Sequence, residues 1–214
     1  ASLLMFVAWL IQRRTGDAGI VDVIWSGALG VAALYAAITG PGDLTRRMVV
    51  GFIAGSWSVR LTVYLFLDRI VRAEHEDGRY LMLRESCGDR AQTCFLFFFQ
   101  AQAFFVLAFA APFFVATHST VPFGWLDVVG VGVWLLAICG EHVADRQLSR
   151  FRADPGNAGK TCRVGLWSHS RHPNYFFEWI HWWSYVLLSI GAAGWWLSPA
   201  AAGFMLFLLF FVTG

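Results

Sequence analysis

The sequence predicts an all-α polytopic membrane protein with seven transmembrane helices in one bundle. Hydrophobic residues make up 57% of the 214-residue chain and charged residues only 14%, whereas soluble domains average about 25% charged residues. Apolar runs close to the length of a bilayer span recur along the whole chain. These runs do not alternate with the period of two that membrane β-strands require, so a β-barrel is disfavoured.

Seven apolar runs can be delimited, and they are separated by polar or charged segments. No repeat, low-complexity tract or linker divides the chain, so we expect residues 1–214 to form a single transmembrane domain. The predicted spans cover residues 1–11, 19–39, 48–67, 94–117, 125–144, 174–190 and 200–213.

Basic residues are distributed unevenly between the predicted loops. With seven spans, segments 12–18, 68–93 and 145–173 lie on one side of the membrane. Because basic loops are retained in the cytoplasm, we expect this side to face the cytosol, in a bacterial inner membrane or an endoplasmic-reticulum-type membrane. These segments hold 13 of the 16 lysines and arginines: Arg13, Arg14, Arg69, Arg72, Arg79, Arg84, Arg90, Arg146, Arg150, Arg152, Lys160, Arg163 and Arg171.

Several chemistries are disfavoured by composition and by the absence of their motifs. A net charge of +2 and the lack of a basic stripe argue against nucleic-acid binding. No glycine-rich dinucleotide fingerprint, Walker loop or nucleophile elbow occurs, and the six histidines do not form the repeated boxes of a membrane di-iron site. The cysteines lack CxxC spacing, so we expect isolated reduced thiols at Cys87, Cys94, Cys139 and Cys162.

A polar motif of sequence SRHPNY, residues 170–175, directly precedes the sixth predicted span. Polar groups at the mouth of a membrane helix are expensive and mark functional sites. The free amides at the start of this helix, with Arg171 and His172, predict an anion site. An interfacial aromatic belt is the alternative for the tryptophans that follow. Helical spacing places one polar face along this span, made of Asn174, Glu178, His181 or Trp182, and Tyr185.

The end of the fifth predicted span carries carboxylates on one face and arginines on another. Glu141 and Asp145 share a face with Ser149, and their carboxylates suit ribose hydroxyls or an amide. Arg146 and Arg150 share another face, and a guanidinium is well shaped for phosphate. Ion pairing within the helix is the alternative.

Asp22 lies near the cytosolic start of the second span, and Arg60 lies inside the third. A carboxylate in a membrane is either paired with a cation or protonated, and a protonated acid can donate to a carbonyl oxygen. A structural Asp22–Arg60 salt bridge is the alternative. In the first large loop, residues 76–80 read EDGRY, and a turn there is expected to place Arg79 and Tyr80 against the membrane face.

Together these motifs resemble the bacterial branch of the steroid 5α-reductase family. The most specific block runs from Asp145 to Glu178 and contains DRQL, PGN, GLW and SRHPNYF. Asp22, Arg60 and the EDGRY segment fit that branch as well, so the resemblance covers most of the chain. It implies a seven-helix membrane reductase that uses NADPH, and it implies that a C-terminal tail of the family is missing from this sequence.

The resemblance also implies roles for individual residues. Asp22 falls where the family has an acid that engages the substrate ketone. The tyrosine that partners this acid in the family is replaced by Trp57, whose indole donates a hydrogen bond but is not a proton source; Tyr64, two turns on, is the candidate substitute. The implied cofactor contacts are Arg60, Arg72, Arg79, Tyr80, Asp145, Arg152, Arg163, Arg171, His172, Asn174, Tyr175 and Glu178.

The implied activity is reduction of the C4–C5 double bond of 3-oxo-Δ4-steroids or similar lipophilic enones, with hydride going to C5 and a proton to C4. The expected partners are a lipophilic small molecule and the lipid bilayer, and no nucleic acid. One alternative is a membrane methyltransferase of the isoprenylcysteine or phospholipid type, which uses S-adenosylmethionine and shares an Arg-His-Pro motif. Another is a receptor or transporter, for which Pro112 is the one clear helix interruption.

Overall fold

The computed structural model describes residues 1–73 and 75–211, and this part of the chain contains helices and no strand. Glu74 and the predicted end of the last span, residues 212–214, lie outside the described residues. The described α-helices are α1 (Ser2–Thr15), α2 (Ile20–Thr39), α3 (Leu44–Phe66), α4 (Gly78–Cys87), α5 (Ala91–Thr117), α6 (Trp125–Ala153), α7 (Pro173–Ser189) and α8 (Pro199–Phe211).

All seven predicted spans coincide with helices, and their all-α character is confirmed within the described residues. Among the described residues, four helical segments are long and apolar enough to cross a membrane: Ile20–Thr39, Leu44–Val71, Gly78–Thr117 and Trp125–Ala153. Large apolar side chains cover their outer surfaces; Phe52, for example, is 70% exposed. Such surfaces are stable in a bilayer, so the chain is an integral membrane protein.

The helices extend past several of the predicted spans, and the extensions at α3 and α6 are the longest. α6 continues to Ala153, beyond the predicted end at residue 144, because the polar residues that follow are good helix formers. α3 is followed by one π-helical turn, Leu67–Val71. These helices are therefore longer than the spans predicted from hydropathy, because hydropathy detects where a helix leaves the apolar layer and not where it ends.

The short helix α4 was not predicted, since its charged residues give no apolar run. It begins where the side chain of Asp77 caps it and accepts the backbone N–H of Arg79 at 2.9 Å. It ends at Gly88, which adopts a positive φ of 49°. α4 therefore turns part of the first large loop into a defined element.

A disulfide joins Cys87 and Cys94, which corrects the prediction that all four cysteines are isolated thiols. A single 3-10 turn, Gly88–Arg90, connects α4 to α5 and brings the two Cα atoms to 6.5 Å. That separation is within the range for a disulfide. Sequence spacing could not show it, because it depends on a turn between two helices. Cys139 and Cys162 are free thiols.

The chain divides into two compact units, each with its own core. Unit 1 comprises Ala1–Gly40 and Arg47–Phe114, and unit 2 comprises Pro41–Arg46 and Val115–Gly214. The core of unit 1 includes the fully buried rings of Phe95, Phe99 and Phe109. The core of unit 2 is built around α6 and α7 and includes the fully buried Trp182, Tyr185 and Leu188.

A buried salt bridge holds the start of α3 to the start of α6 within unit 2. The Arg46 guanidinium donates to Asp127 twice, from Nε to Oδ1 at 2.6 Å and from Nη2 to Oδ2 at 2.8 Å. Arg46 also donates to the carbonyl of Val121 at 2.6 Å. The two side chains are 3% and 4% exposed. The pair is therefore almost fully desolvated, and each charge depends on the other.

We expect Asp127→Ala to reduce the free energy of unfolding by about 3 kcal/mol or more, because it leaves the Arg46 guanidinium buried without its counter-ion. The measurement is an equilibrium unfolding titration with sodium dodecyl sulfate in maltoside micelles, followed by circular dichroism. Asp154→Ala is the control, because Asp154 caps a single exposed 3-10 turn. Equal, small effects of both substitutions would contradict the structural role assigned to the salt bridge.

Candidate functional site

The carboxylate of Asp22 is the centre of a polar cluster in unit 1. Asp22 lies in the first turn of α2. The hydroxyl of Tyr80 donates to its Oδ1 at 2.7 Å, and Nη2 of Arg79 donates to its Oδ2 at 3.2 Å. Nε of Arg69 lies 3.9 Å from Oδ2. We call Asp22, Arg69, Asp77, Arg79 and Tyr80 the Asp22 cluster.

The first turn of α4 brings Arg79 and Tyr80 to Asp22. Asp77 caps this turn and also accepts from Nε of Arg79 at 3.0 Å, which fixes the arginine side chain. Asp77 also forms an ion pair with Arg69, which lies in the π-helical turn after α3. A helix start therefore performs the function that the sequence assigned to a turn at Gly78. π-Helical turns are often found at functional sites.

A second ion pair attaches α4 to the connection between α1 and α2. Arg84 pairs with Glu76 at 2.8 Å and donates to the carbonyl of Gly16 at 2.9 Å. Glu76 in turn accepts the backbone N–H of Ala18 at 2.8 Å. These contacts hold the start of α2 against α4. Four residues of this region were not predicted as site residues: Arg69, Glu76, Asp77 and Arg84. The acidic pair directly before the start of α4 was the available signal.

Asp22 and Tyr80 differ in how deeply they are buried and in whether they carry a proton. Tyr80 is 3% exposed and its ring packs edge-to-face on Phe98, whereas the side chain of Asp22 is 24% exposed. Burial and the Asp22 charge raise the pKa of the Tyr80 phenol, which therefore keeps its proton. The cluster thus presents a partly open carboxylate with a proton-bearing phenol held against it.

The other residues predicted for the substrate end lie on or just after α3. Trp57 is buried at 1% exposure, and Tyr64 is 58% exposed. Arg60 is half-buried, and Arg72 is exposed directly after the π-helical turn. The hydroxyl that the structure places on Asp22 is therefore that of Tyr80, a residue that the resemblance had assigned to the cofactor.

In unit 2, a carboxylate and an amide from neighbouring helices meet. Nδ2 of Asn174, in the first turn of α7, donates to Oδ1 of Asp145 on α6 at 3.2 Å. Glu178 lies one helical turn after Asn174 and is half-buried. The structure thus brings together α6 and α7 residues that were predicted separately from two motifs.

The segment between α6 and α7 is held back against α6. Nε1 of Trp167 donates to the carbonyl of Ala144 at 2.8 Å, and Oε1 of Gln147 accepts the N–H of Leu166 at 2.9 Å. Gly165 has a positive φ of 59°, and a Cβ there would collide with the Gln147 amide. The GLW motif is therefore needed for this close return of the chain.

Three arginines at this end of unit 2 remain available to a ligand. Arg152, Arg163 and Arg171 are exposed, and none of them forms an ion pair with another described residue. Arg171 and His172 directly precede α7, whose first position is Pro173. The His172 ring packs edge-to-face on Tyr175. The region offers unpaired cations and a carboxylate–amide pair, which suit a ligand with anionic groups and hydroxyls.

Comparison with known proteins gives a family but no activity. The family model described as "Protein of unknown function (DUF1295)" matches residues 8–214. An uncharacterized protein of Schizosaccharomyces pombe, C594.04c, is 24% identical over 206 residues, covering 85% of this chain and 60% of the relative. The chain thus spans less than two thirds of the length of that curated relative. No solved structure matches the chain. Because the family match covers nearly the whole sequence, the chain belongs to the DUF1295 family.

Proposed function

We propose that the chain is an NADPH-dependent membrane reductase that reduces the C4–C5 double bond of 3-oxo-Δ4-steroids or similar lipophilic enones. The observation that carries the proposal is the 2.7 Å hydrogen bond from the buried Tyr80 hydroxyl to Asp22. This acid–phenol pair lies in a chain made of apolar helices. It offers a hydrogen-bond donor to the ketone oxygen, which gains negative charge when a conjugated double bond is reduced. The resemblance to steroid 5α-reductases supports the same assignment.

The proposal includes seven transmembrane helices, formed by all the α-helices except α4. α1, α7 and α8 are short, with 14, 17 and 13 described residues. Their support comes from charge: with seven spans, the basic segments fall on one side, which we assign to the cytosol. α4 and the segment between α6 and α7 then both lie on the cytosolic side, where a charged nucleotide is available.

At the substrate end, Tyr80 is the proposed hydrogen-bond donor to the C3 oxygen. Addition of hydride at C5 places negative charge on this oxygen, and a donor held in advance stabilises it. The one O–H of the phenol donates to Asp22 and would turn to the C3 oxygen when the ketone binds, while Arg79 keeps its hydrogen bond to Asp22. The enolate that results takes a proton at C4 from water, which gives the saturated ketone. We therefore assign to Tyr80 the role that the resemblance offered to Trp57 or Tyr64.

At the cofactor end, the donor set of unit 2 fits a phosphorylated dinucleotide. NADPH, when bound, supplies the hydride that C5 receives. Asp145 and Asn174 suit hydroxyl and amide groups, and the unpaired Arg152, Arg163 and Arg171 suit phosphates, including a 2′-phosphate. S-Adenosylmethionine carries no phosphate and would leave these cations without a partner, so the arrangement favours NADPH over the methyltransferase alternative.

We expect Tyr80→Phe to lower kcat for testosterone by about 10²-fold or more, because one preorganised donor to a developing oxyanion is lost. Asp22→Asn is expected to lower kcat in the same direction, since the amide no longer matches Arg79. NADPH oxidation in nanodiscs is followed at its absorbance maximum. Tyr35→Phe is the matched control, because Tyr35 lies at the far end of α2 and is 59% exposed. Full turnover by Tyr80→Phe would refute the role of the phenol.

We expect purified protein to bind NADPH saturably, and Arg152→Ala to weaken that binding about tenfold, as for loss of a hydrogen bond to a charged group. Titration calorimetry in nanodiscs at low salt measures both. Arg90→Ala is the control, because Arg90 is an exposed arginine of unit 1. Parallel titration with S-adenosylmethionine tests the methyltransferase alternative, and saturable binding of that compound alone would overturn the proposed function.

A further inference from the structure

A groove of about 800 Å³ opens between α2 and α3 within unit 1. Its walls are residues 27–38 of α2 and residues 48–63 of α3, and they are almost entirely apolar. The flanking side chains of Val31, Phe52 and Val59 are 64–70% exposed, so the groove opens on the lipid-facing surface. Its volume is within the range of small-molecule sites, about 300–1,000 Å³.

The groove offers no free hydrogen-bonding group. Oγ of Ser58 donates to the carbonyl of Ser26 at 2.6 Å, and Oγ of Ser56 donates to the carbonyl of Ile53 at 3.2 Å. The hydroxyl of Thr62 is paired with that of Ser26 at 3.0 Å. Because every hydroxyl that lines the groove is already engaged, the groove suits a hydrocarbon and not a polar group.

The groove begins close to the Asp22 cluster. Ser26 lies one helical turn after Asp22 on the same face of α2, and its hydroxyl contacts Thr62, which lines the groove. Gly27, the first lining residue of α2, is about 7.5 Å along the helix from Asp22, and the groove continues for about 16 Å from there to Ile38. A molecule with its oxygen at Asp22 would thus extend its apolar part along the groove.

The small residues of α2 and α3 serve the contact between these two helices. A Cβ at Gly30 would collide with Ser58, and a Cβ at Gly51 would lie 2.9 Å from the side chain of Ala37. Helix pairs in membranes associate through small residues that let the backbones approach. Because these glycines are already covered within unit 1, a helix of a second copy is a poor occupant.

We propose that this groove binds the hydrocarbon tail of the enone substrate whose carbonyl lies at Asp22 and Tyr80. The inference rests on the proposed function, since it places the other end of the same substrate. A tail leaving bulk lipid gains little hydrophobic energy, so the groove selects by shape and dispersion contacts. It therefore favours enones with a flexible chain far from the ketone over compact ones.

The test fills the groove and compares two steroids. Gly55→Leu is the variant, because a Cβ there meets Leu34 at an ordinary 3.7 Å and the rest of the side chain enters the groove. Gly132→Leu is the matched control on α6, where a Cβ meets nothing within 4 Å. Cholest-4-en-3-one and testosterone share the enone and rings, but only the former carries an eight-carbon side chain. KM and kcat are measured for both in nanodiscs.

We expect Gly55→Leu to raise KM for cholest-4-en-3-one about tenfold, with kcat nearly unchanged. A change of this size corresponds to losing the room for about one methylene group in a hydrophobic pocket. KM for testosterone should change little, and Gly132→Leu should change neither. Equal effects of Gly55→Leu on both steroids, or no effect on either, would overturn the tail site.

A second readout does not depend on activity. A cholest-4-en-3-one analogue with a diazirine on its side chain is photolysed in nanodiscs, and labelled peptides are identified. Labelling of residues 27–38 and 48–63 that is lost in Gly55→Leu and is competed by cholest-4-en-3-one supports the site, even if no variant oxidises NADPH and the proposed function fails. If phospholipid alone competed, the groove would be assigned to bilayer lipid. If a crosslinked dimer formed and was lost in Gly55→Leu, the groove would be assigned to a second copy of the chain. Either result would overturn the inference.

Discussion

The candidate site depends on one constraint: the Asp22 carboxylate needs hydrogen-bond donors and a compensating positive charge. A carboxylate at the start of an apolar helix is costly unless donors surround it. The structure supplies two donors from α4, Tyr80 and Arg79, and a nearby cation, Arg69, from the turn after α3. α4 is held in place by its own cap at Asp77 and by the Glu76–Arg84 pair. The EDGRY segment is therefore an element that completes the environment of an acid 58 residues away.

The fold was predictable to the extent that it follows from hydropathy. Apolar runs in the sequence located seven of the helices, because burial in lipid requires continuous apolar sequence. Hydropathy did not predict α4 or the continuation of α6 to Ala153, because both are charged helices stabilised by caps and local contacts. The Cys87–Cys94 disulfide was not predicted either, because it depends on the 3-10 turn between α4 and α5, which the sequence pattern does not show.

The site was predictable in its members but not in their arrangement. Asp22, Arg79 and Tyr80 were each identified from the sequence, yet their meeting depends on how α4 returns to α2, which no local pattern encodes. In the block from Asp145 to Glu178, the motif was recognised but the structural role of its residues was not. Gly165 and Trp167 belong to a specific motif, but in the structure they hold the chain against α6. A motif that resembles a family thus combines residues that bind with residues that only position them.

The arginines of the Asp22 cluster and its supporting contacts differ in their pairing from the exposed arginines near the start of α7. In unit 1, Arg69, Arg79 and Arg84 are each paired with an acid of the same unit. In unit 2, the exposed Arg152, Arg163 and Arg171 have no acidic partner among the described residues. A paired guanidinium has little charge left to attract an anion, whereas an unpaired one gains a charge-assisted hydrogen bond from it. The Asp22 cluster is therefore suited to a neutral ligand with a hydrogen-bond acceptor, and the exposed arginines of unit 2 to an anionic one. A lipophilic ketone and a phosphorylated nucleotide are the pair of ligands that this division of charge favours.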